Sequence, residues 1–323
     1  MSFSFDSIRA KIKNKSRETG IKPDVLYMRY LLERFICRIA ASKYSDNIII
    51  KGGMLISAIT GIDMRSTKDL DATIVGKDLT VKDIEIITRD IVLVDLSDEI
   101  QYQFVRSEEI MMDNNYPCCR IHLRALLGAM DAKIEIDMTT GDVITPREIT
   151  FGFPALFGNE RISVLAYNLE TILAEKITAI LDLGVFNTRA KDFYDIYLLT
   201  STFADKLDKT ILKDALRNTL HHRNKEVLLA DIQGTVLKTL NSNDIKFQWE
   251  KYRSEYPYAA DIDFGKVANS LLQLFEWLGV NIGNRKEPPR KKSLLGELER
   301  NKKIIAAEKA TQNNYPATTK KKR

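Results

Sequence analysis

Apolar residues recur at three- and four-residue intervals across positions 23–43, which is the spacing of one buried helix face. A similar pattern predicts a helix over positions 6–15, and another that begins after Thr80 and runs to about Val92. Short apolar or alternating runs predict strands, because alternation places every second side chain on one face of a sheet. These strands cover positions 46–50, 70–75, 101–106, 118–124 and 129–137. Together the elements predict a small mixed sheet flanked by helices over roughly positions 20–155.

The pattern becomes helical after Pro154. Asn168 is a suitable N-cap, and Gly184 a suitable end, for a strongly amphipathic helix between them. Further helices are predicted at positions 189–200, 204–221 and 264–278, whereas positions 223–262 show no clear pattern. We therefore predict an α+β fold in three parts. They are a mixed-sheet domain at 1–155, a helical domain at 156–284 and a tail at 285–323.

Composition and charge add two expectations. With 44% apolar and 29% charged residues, the chain has the make-up of a globular protein. Its three cysteines have no ligand or disulfide-framework spacing, no signal-peptide pattern opens the chain, and no apolar run approaches the length of about 18 residues needed for a membrane span. We expect a protein of the reducing cytoplasm.

The positive charge is concentrated in the tail. Positions 285–323 hold 13 Lys or Arg against 4 Asp or Glu, a net charge of +9, which leaves −4 on the remainder. Such an arm either binds nucleic acid or is simply solvated. Its composition predicts disorder, except that positions 294–307 have the pattern of a short helix for contact with a partner.

The most informative chemistry begins at Lys51-Gly52-Gly53, where an apolar strand ends in two glycines and a short helix follows. Glycine lets a backbone approach a phosphate closely, and a helix start presents free N–H groups. Asp69 and Asp71 then occupy alternate positions of the next predicted strand and so face the same way. Two carboxylates side by side are suited to Mg²⁺, which binds one or two of them together with substrate phosphates.

A third acid is predicted on the strand at 129–137. Asp137 is the first choice and Glu135 the alternative, since both face one way on an apolar strand; the competing explanation is an exposed edge face. Asp69 and Asp71 would bind Mg²⁺ across a nucleoside triphosphate, and Asp137 would complete the metal shell or accept the proton of the attacking hydroxyl. Candidate phosphate contacts are Gly52, Gly53, Arg65 and Thr67.

Lys176 interrupts the apolar face of the helix that Asn168 begins. Either its stem snorkels to the surface, or the ammonium group meets a carboxylate or a ligand phosphate. Asp192 and Asp195 lie three positions apart on one side of a later helix. They are salt-bridge partners for Arg189 and Lys191, or partners for Lys176.

Five segments in this order resemble the AbiEii/AbiGii nucleotidyltransferase toxin family. They are RYLLERF at 29–35, KGGML at 51–55, RSTKDLD at 65–71, EK at 175–176 and KDFYD at 191–195. The resemblance covers positions 20–200 and extends less clearly to 280. It implies a nucleotidyltransferase-like fold with a helical carboxy-terminal domain. It also implies that Asp69 and Asp71 hold the metal, that Lys176 and Asp192 belong to the catalytic set with Asp195 less certain, and that Gly53 stands where many nucleotidyltransferases have a serine.

By this resemblance the protein is expected to be the toxin of a type IV toxin–antitoxin or abortive-infection system directed against phage. It would transfer a nucleotide from an NTP to an RNA acceptor, in particular tRNA, with Mg²⁺ as cofactor and a cognate antitoxin encoded nearby. Two alternatives stay open. One keeps the enzyme but gives it a protein hydroxyl or small-molecule acceptor; the other is a non-catalytic nucleotide- or RNA-binding module that acts through the basic tail.

Overall fold

The computed structural model of the protein describes residues 4–75, 79–112 and 116–280. Seven strands of these residues form one sheet: β1 (Ile48–Lys51), β2 (Leu70–Ile74), β3 (Gln101–Met112), β4 (Tyr116–Leu127), β5 (Met130–Thr140), β6 (Ile149–Pro154) and β7 (Arg161–Ala166). Their order is β3-β4-β5-β2-β1-β7-β6. The pairs β1–β7 and β2–β5 are parallel, and the other neighbours are antiparallel. The predicted mixed sheet is confirmed.

In the amino-terminal half of the chain, helices flank this sheet; in the carboxy-terminal half, helices form most of the structure. They are α1 (Phe5–Thr19), α2 (Pro23–Ala41), α3 (Gly52–Thr60), α4 (Val81–Val92), α5 (Leu169–Leu183), α6 (Ala190–Phe203), α7 (Lys209–His222), α8 (Ile232–Asn241), α9 (Asn243–Glu255) and α10 (Phe264–Trp277). One cluster of buried apolar side chains includes Ile50 of the sheet together with Leu173 and Leu199 of the later helices. The α+β class is therefore confirmed, with both halves packed on a shared core.

Local signals explain why two helices begin where the sequence predicts. The Thr80 side chain accepts from the Asp83 N–H while the Asp83 carboxylate accepts from the Thr80 N–H, which is a complete capping box for α4. The Asn168 side chain accepts from the Thr171 N–H and caps α5. Gly184 ends α5, as predicted.

The structure corrects three expectations. Asp69 precedes β2, so the prediction that both aspartates share a strand is wrong and only Asp71 lies in it. Gly52 is already the first residue of α3, so the two glycines are not a separate turn. The chain after Pro154 is not immediately helical, because β7 pairs in parallel with β1. The sheet thus extends beyond position 155, and the division into domains remains a prediction.

Other expectations have simpler outcomes. The unassigned positions 223–262 contain α8 and α9. All three cysteines are free. Among the described residues, no helix combines the length and the apolar character needed to cross a membrane. The predictions for the tail at 285–323, including its short helix at 294–307, lie outside the described residues.

Candidate functional site

Four adjacent strands bring a row of charged residues together. Arg120 of β4 is the register partner of Asp137 of β5, Asp137 is the partner of Asp71 of β2, and Asp71 is the partner of Lys51 of β1. Partners directly across neighbouring strands point to the same face of a sheet. The row therefore reads as a cation, two carboxylates and a second cation, with the carboxylates side by side at its centre.

Asp71 is the uncompensated member of this row. Its carboxylate makes no hydrogen bond or ion pair with any residue that the structure describes. Burial raises the pKa of Asp71, the neighbouring Asp137 raises it further, and the attraction of Lys51 and Lys176 does not cancel the effect. A carboxylate in this state gains most from a positive ligand.

The start of α3 is built around the same carboxylate. Gly52 has φ of +64°, and a Cβ atom on it would overlap the carboxyl group of Asp71. A Cβ atom on Gly53 would lie 3.0 Å from Thr67 Oγ1 and 3.3 Å from Arg65 Nη2. Both glycines therefore allow side chains from the 65–71 segment to approach the first turn of a helix, where N–H groups have no intrahelical acceptor.

A compensated network of charged groups connects α5 and α6. Lys176 Nζ donates to Asp192 and lies 3.1 Å from Asp195 Oδ2, while Arg65 Nε donates to Asp195 Oδ1 at 2.7 Å. Burial would lower the pKa of Lys176, but Asp192 and Asp195 raise it above its ordinary value. Burial would raise the pKa of Asp195, but Arg65 and Lys176 hold it below its ordinary value. Of the two explanations offered for Lys176, the structure supports pairing with these aspartates.

Sequence reasoning gave no role to Lys51, a further buried cation. Lys51 Nζ donates to Thr139 Oγ1 at 2.8 Å and to Asp142 Oδ2 at 2.5 Å, and Tyr167 Oη donates to the same Asp142 oxygen at 2.6 Å. Burial would lower the pKa of Lys51, but Glu175 and Asp142 raise it overall. The sequence signal that could have indicated this is a lysine directly after three isoleucines, at the end of a strand that the structure shows to be buried throughout.

Two cavities meet at Asp71 and form one cleft, with volumes of about 140 and 320 Å³. Both are lined by Gly52, Asp71, Lys176, Arg189 and Lys191. The larger also contains the predicted residues Gly53, Arg65, Thr67, Asp69 and Asp137, with the alternative Glu135. Asp192 lines the smaller one beside Lys51 and Arg223, whereas Asp195 lines neither. All of the predicted site residues except Asp195 thus border one cleft. Arg120, Arg189, Lys191 and Arg223 also border it, although the sequence predicted no role for them in the site.

The donor set fits a magnesium ion with two protein carboxylates better than with three. Asp71 and Asp137 are register neighbours, and Mg²⁺ uses one or two carboxylates together with phosphate oxygens and water. Asp69 is exposed and lies before β2. Arg120 donates to both oxygens of Asp137, each at 2.8 Å. In the described part of the chain, no three His, Cys, Asp or Glu side chains are grouped to hold a metal ion. The three-aspartate metal site stays a prediction.

Comparison with known proteins gives one family. The profile described as "Nucleotidyl transferase AbiEii toxin, Type IV TA system" matches residues 34–276, which is more than half of the chain. No curated protein matches the sequence significantly.

Several solved structures are similar at low identity. JHP933 from Helicobacter pylori is 12% identical, with 90% of this chain and 99% of that chain covered and a TM-score of 0.45. An antigenic nucleotidyltransferase-like protein from Paracoccidioides brasiliensis is 18% identical, with 60% of this chain and 91% of that chain covered and a TM-score of 0.32.

Proposed function

Because the chain belongs to the AbiEii nucleotidyltransferase toxin family of type IV toxin–antitoxin systems, we propose that it transfers a nucleoside monophosphate from an NTP to an RNA acceptor, with tRNA as the first candidate and Mg²⁺ as the cofactor. The observation that carries this proposal is the pair Asp71 and Asp137 at the centre of the charged row, next to the glycines that open α3.

The roles of the residues follow from their positions. The N–H groups at Gly52 and Gly53 bind phosphate oxygens, and the ammonium groups of Lys176 and Lys191 offset the charge of the triphosphate. Asp71 and Asp137 would hold the magnesium ion, and Asp69 lines the same cavity. When bound, this ion offsets the charge that develops on the leaving pyrophosphate.

Both carboxylate oxygens of Asp137 accept hydrogen bonds from Arg120. At least one of these hydrogen bonds has to break before Asp137 binds a metal ion or accepts a proton. The two roles open to it, metal ligand and proton acceptor, therefore both require a shift of the Arg120 side chain. Asp192 and Asp195 act through Lys176: they hold its ammonium group charged and orient it towards the cleft. In this scheme catalysis depends on positioning and electrostatics.

The toxin assignment implies a cognate antitoxin as partner, and we propose that it is encoded beside this gene and that the pair serves in defence against phage. The protein would act in the cytoplasm, where both NTPs and tRNA are available. Release from the antitoxin would let transfer proceed and stop growth.

The test combines the purified protein with MgCl₂, each α-³²P-labelled NTP in turn and total tRNA. We expect label on tRNA from the wild-type protein and from Lys68→Ala, an exposed residue beside the cleft, but none from Asp71→Ala or after addition of EDTA. Label on a protein or small molecule in place of tRNA would support the alternative acceptors. The proposal fails if no acceptor is labelled and growth arrest is unchanged in Asp71→Ala.

A further inference from the structure

A third cavity, of about 290 Å³, opens beside the catalytic cleft. It shares Arg189 and Lys191 with the cleft, and its other wall is formed by Gln248, Lys251, Tyr252 and Tyr256 from α9 and the turn that follows. Because Arg189 and Lys191 line both spaces, the groove adjoins the cleft and offers room for a part of a ligand that extends beyond it. The residues that α9 contributes belong to none of the five family motifs.

The groove contains an aromatic surface held rigid by its neighbours. The Tyr256 ring lies 4.7 Å from the Tyr252 ring and 5.3 Å from the Tyr258 ring, nearly parallel to the latter at 29°. The Tyr252 and Tyr258 hydroxyl groups are 3.0 Å apart. Tyr256 itself is only half-buried. A fixed ring that borders a groove is a stacking surface for a nucleobase.

The same groove carries cations that the fold does not use. Lys191 and Lys251 are exposed, and within the described residues neither ammonium group makes an ion pair. Glu255 is the one acid among the described lining residues, so the groove is positively charged overall. An aromatic surface combined with unpaired lysines is typical of single-stranded nucleic-acid sites, where bases stack and cations follow the backbone.

We propose that this groove binds the unpaired 3′-terminal nucleotides of the RNA acceptor, with one base stacked on Tyr256 and a backbone phosphate on Lys251, while Lys191, at the border of the two spaces, stays with the triphosphate. The identification of the ligand as the acceptor rests on the proposed nucleotidyl transfer, which requires the 3′ end to reach Asp71 through a space continuous with the cleft. A base inside a duplex has both faces covered, so the groove selects an unpaired end.

The test measures binding of a fluorescein-labelled hairpin RNA with four unpaired 3′ nucleotides, and of the same hairpin with a blunt end, by fluorescence anisotropy. Wild-type protein binds the overhang hairpin more tightly. Tyr256→Leu, which keeps apolar packing, weakens this binding about tenfold, and Tyr256→Phe restores it, because stacking needs the ring and not the hydroxyl. Lys251→Ala reduces the slope of log K against log salt by about 0.7, the loss of one contact to a single-stranded phosphate.

Phe247→Ala is the matched control, because Phe247 is an aromatic residue of α9 that is 67% exposed and does not line the groove. Its RNA affinity should equal that of the wild type, and thermal melting of each variant checks the fold. The groove assignment is overturned if Tyr256→Leu and Phe247→Ala bind alike, if overhang and blunt hairpins bind alike, or if Tyr256→Leu weakens the binding of a fluorescent NTP instead.

The outcome separates the groove from the proposed function. If no transfer is detected but overhang RNA still binds Asp71→Ala in a Tyr256-dependent way, the groove stands and the enzymatic proposal falls. If RNA is labelled equally well by wild type and Tyr256→Leu, with equal KM for the acceptor, the groove assignment falls and the enzymatic proposal stands.

Discussion

Two pairs of carboxylates lie near Lys176: a front group, Asp71 and Asp137, and a rear group, Asp192 and Asp195. Asp137 is already held by Arg120, but Asp71 and Asp195 are in opposite electrostatic states. In the front group Asp71 has no hydrogen-bond partner among the described residues, and burial raises its pKa. In the rear group Asp195 is completely buried, but it forms ion pairs with both Arg65 and Lys176, and these two cations lower its pKa. The residue type is the same, but the rear charge is balanced by the protein and the front charge is not.

This difference separates residues that stabilise the fold from residues that await a ligand. A buried charge is tolerated when it is paired, and an unpaired one destabilises the protein unless something outside the chain completes it. The rear group belongs to the scaffold that holds Lys176 in place, whereas the front group has the properties of a binding site. Variants of the two groups should therefore differ in their effects on activity and on stability.

Asp71→Asn should give the largest effect on activity and no loss of stability. We expect nucleotidyl transfer to fall by about 10³-fold, since a charged group at the reacting phosphates is removed. The melting temperature should be equal to or above that of the wild type, because a raised pKa means that ionised Asp71 destabilises the folded state at neutral pH. Labelled-NTP transfer and melting by circular dichroism measure both. A clear fall in melting temperature would show that Asp71 is structural after all.

Asp195→Asn should have the reverse profile. Its folded-state pKa is lowered, so it stabilises the protein above the unfolded-state value of 3.8, and this stability is lost as the pH falls through the folded value. Removing the charge leaves Arg65 and Lys176 with less compensation, and we expect a loss of about 3–5 kcal/mol in urea unfolding at pH 7. The loss should shrink at acidic pH.

Two related variants bracket that result. Asp192→Asn should destabilise less, since Lys176 keeps Asp195 at 3.1 Å. Asp24→Asn breaks an exposed pair with Lys68, with side chains 62% and 54% exposed, and should change stability by less than about 1 kcal/mol. Equal effects at Asp195 and Asp24 would contradict the distinction between the two groups.

Gly52→Ala should damage the front group through geometry alone. Alanine at this position has to adopt a positive φ, and its methyl group would occupy the space of the Asp71 carboxylate, so Asp71 has to move. We expect transfer to fall by about 10²-fold, the size of effect produced by misplacing a reacting group by about 1 Å.

Gly20→Ala is the control for backbone strain. Gly20 has φ of +74°, close to the +64° of Gly52, but a Cβ atom there meets nothing within 4 Å. It should lose about 1 kcal/mol of stability and keep its full transfer rate. If both alanine variants keep that rate, the contact between Gly52 and Asp71 has no catalytic importance.

The sequence was sufficient to predict those features whose signals lie within a few neighbouring residues. Thr80 marks the start of one helix, and Asn168 and Gly184 mark the two ends of another, and the structure agrees. Lys176 was identified as anomalous because one lysine interrupted a helical stripe. These signals need no knowledge of the rest of the fold.

Long-range pairing was the part that sequence reasoning missed. β7 is a six-residue strand that pairs with β1, more than 100 positions earlier in the chain. The composition of β7 does not indicate which strand it pairs with. The roles of Lys51 and Arg120 depend on strand register, which places them at the two ends of the charged row. The spacing of residues along one strand cannot reveal a row of charged residues that runs across four neighbouring strands.

The pH dependence of transfer should report the front group. Asp71 must be ionised to hold the metal, and its pKa lies above the ordinary 3.8, so kcat/KM should fall on the acid side at a higher pH than an ordinary aspartate would give. Raising the Mg²⁺ concentration should move this acid limb to lower pH, because metal and proton compete for the carboxylate. An acid limb that does not respond to Mg²⁺ would assign it to another group.

Arg120→Ala should give the smallest effect and the sharpest test of the metal position. Arg120 donates two hydrogen bonds of 2.8 Å to Asp137 and so competes with a cation for the same oxygens. Without it, we expect half-maximal activity at several-fold lower Mg²⁺ concentration, measured by titrating Mg²⁺ in the labelled-NTP assay. Arg124→Ala is the matched control, since Arg124 pairs with Asp131 on the same two strands but lines neither cavity of the cleft. If both variants show the wild-type Mg²⁺ requirement, Asp137 does not bind the metal, and Asp71 would have to do so with Asp69 or Glu135.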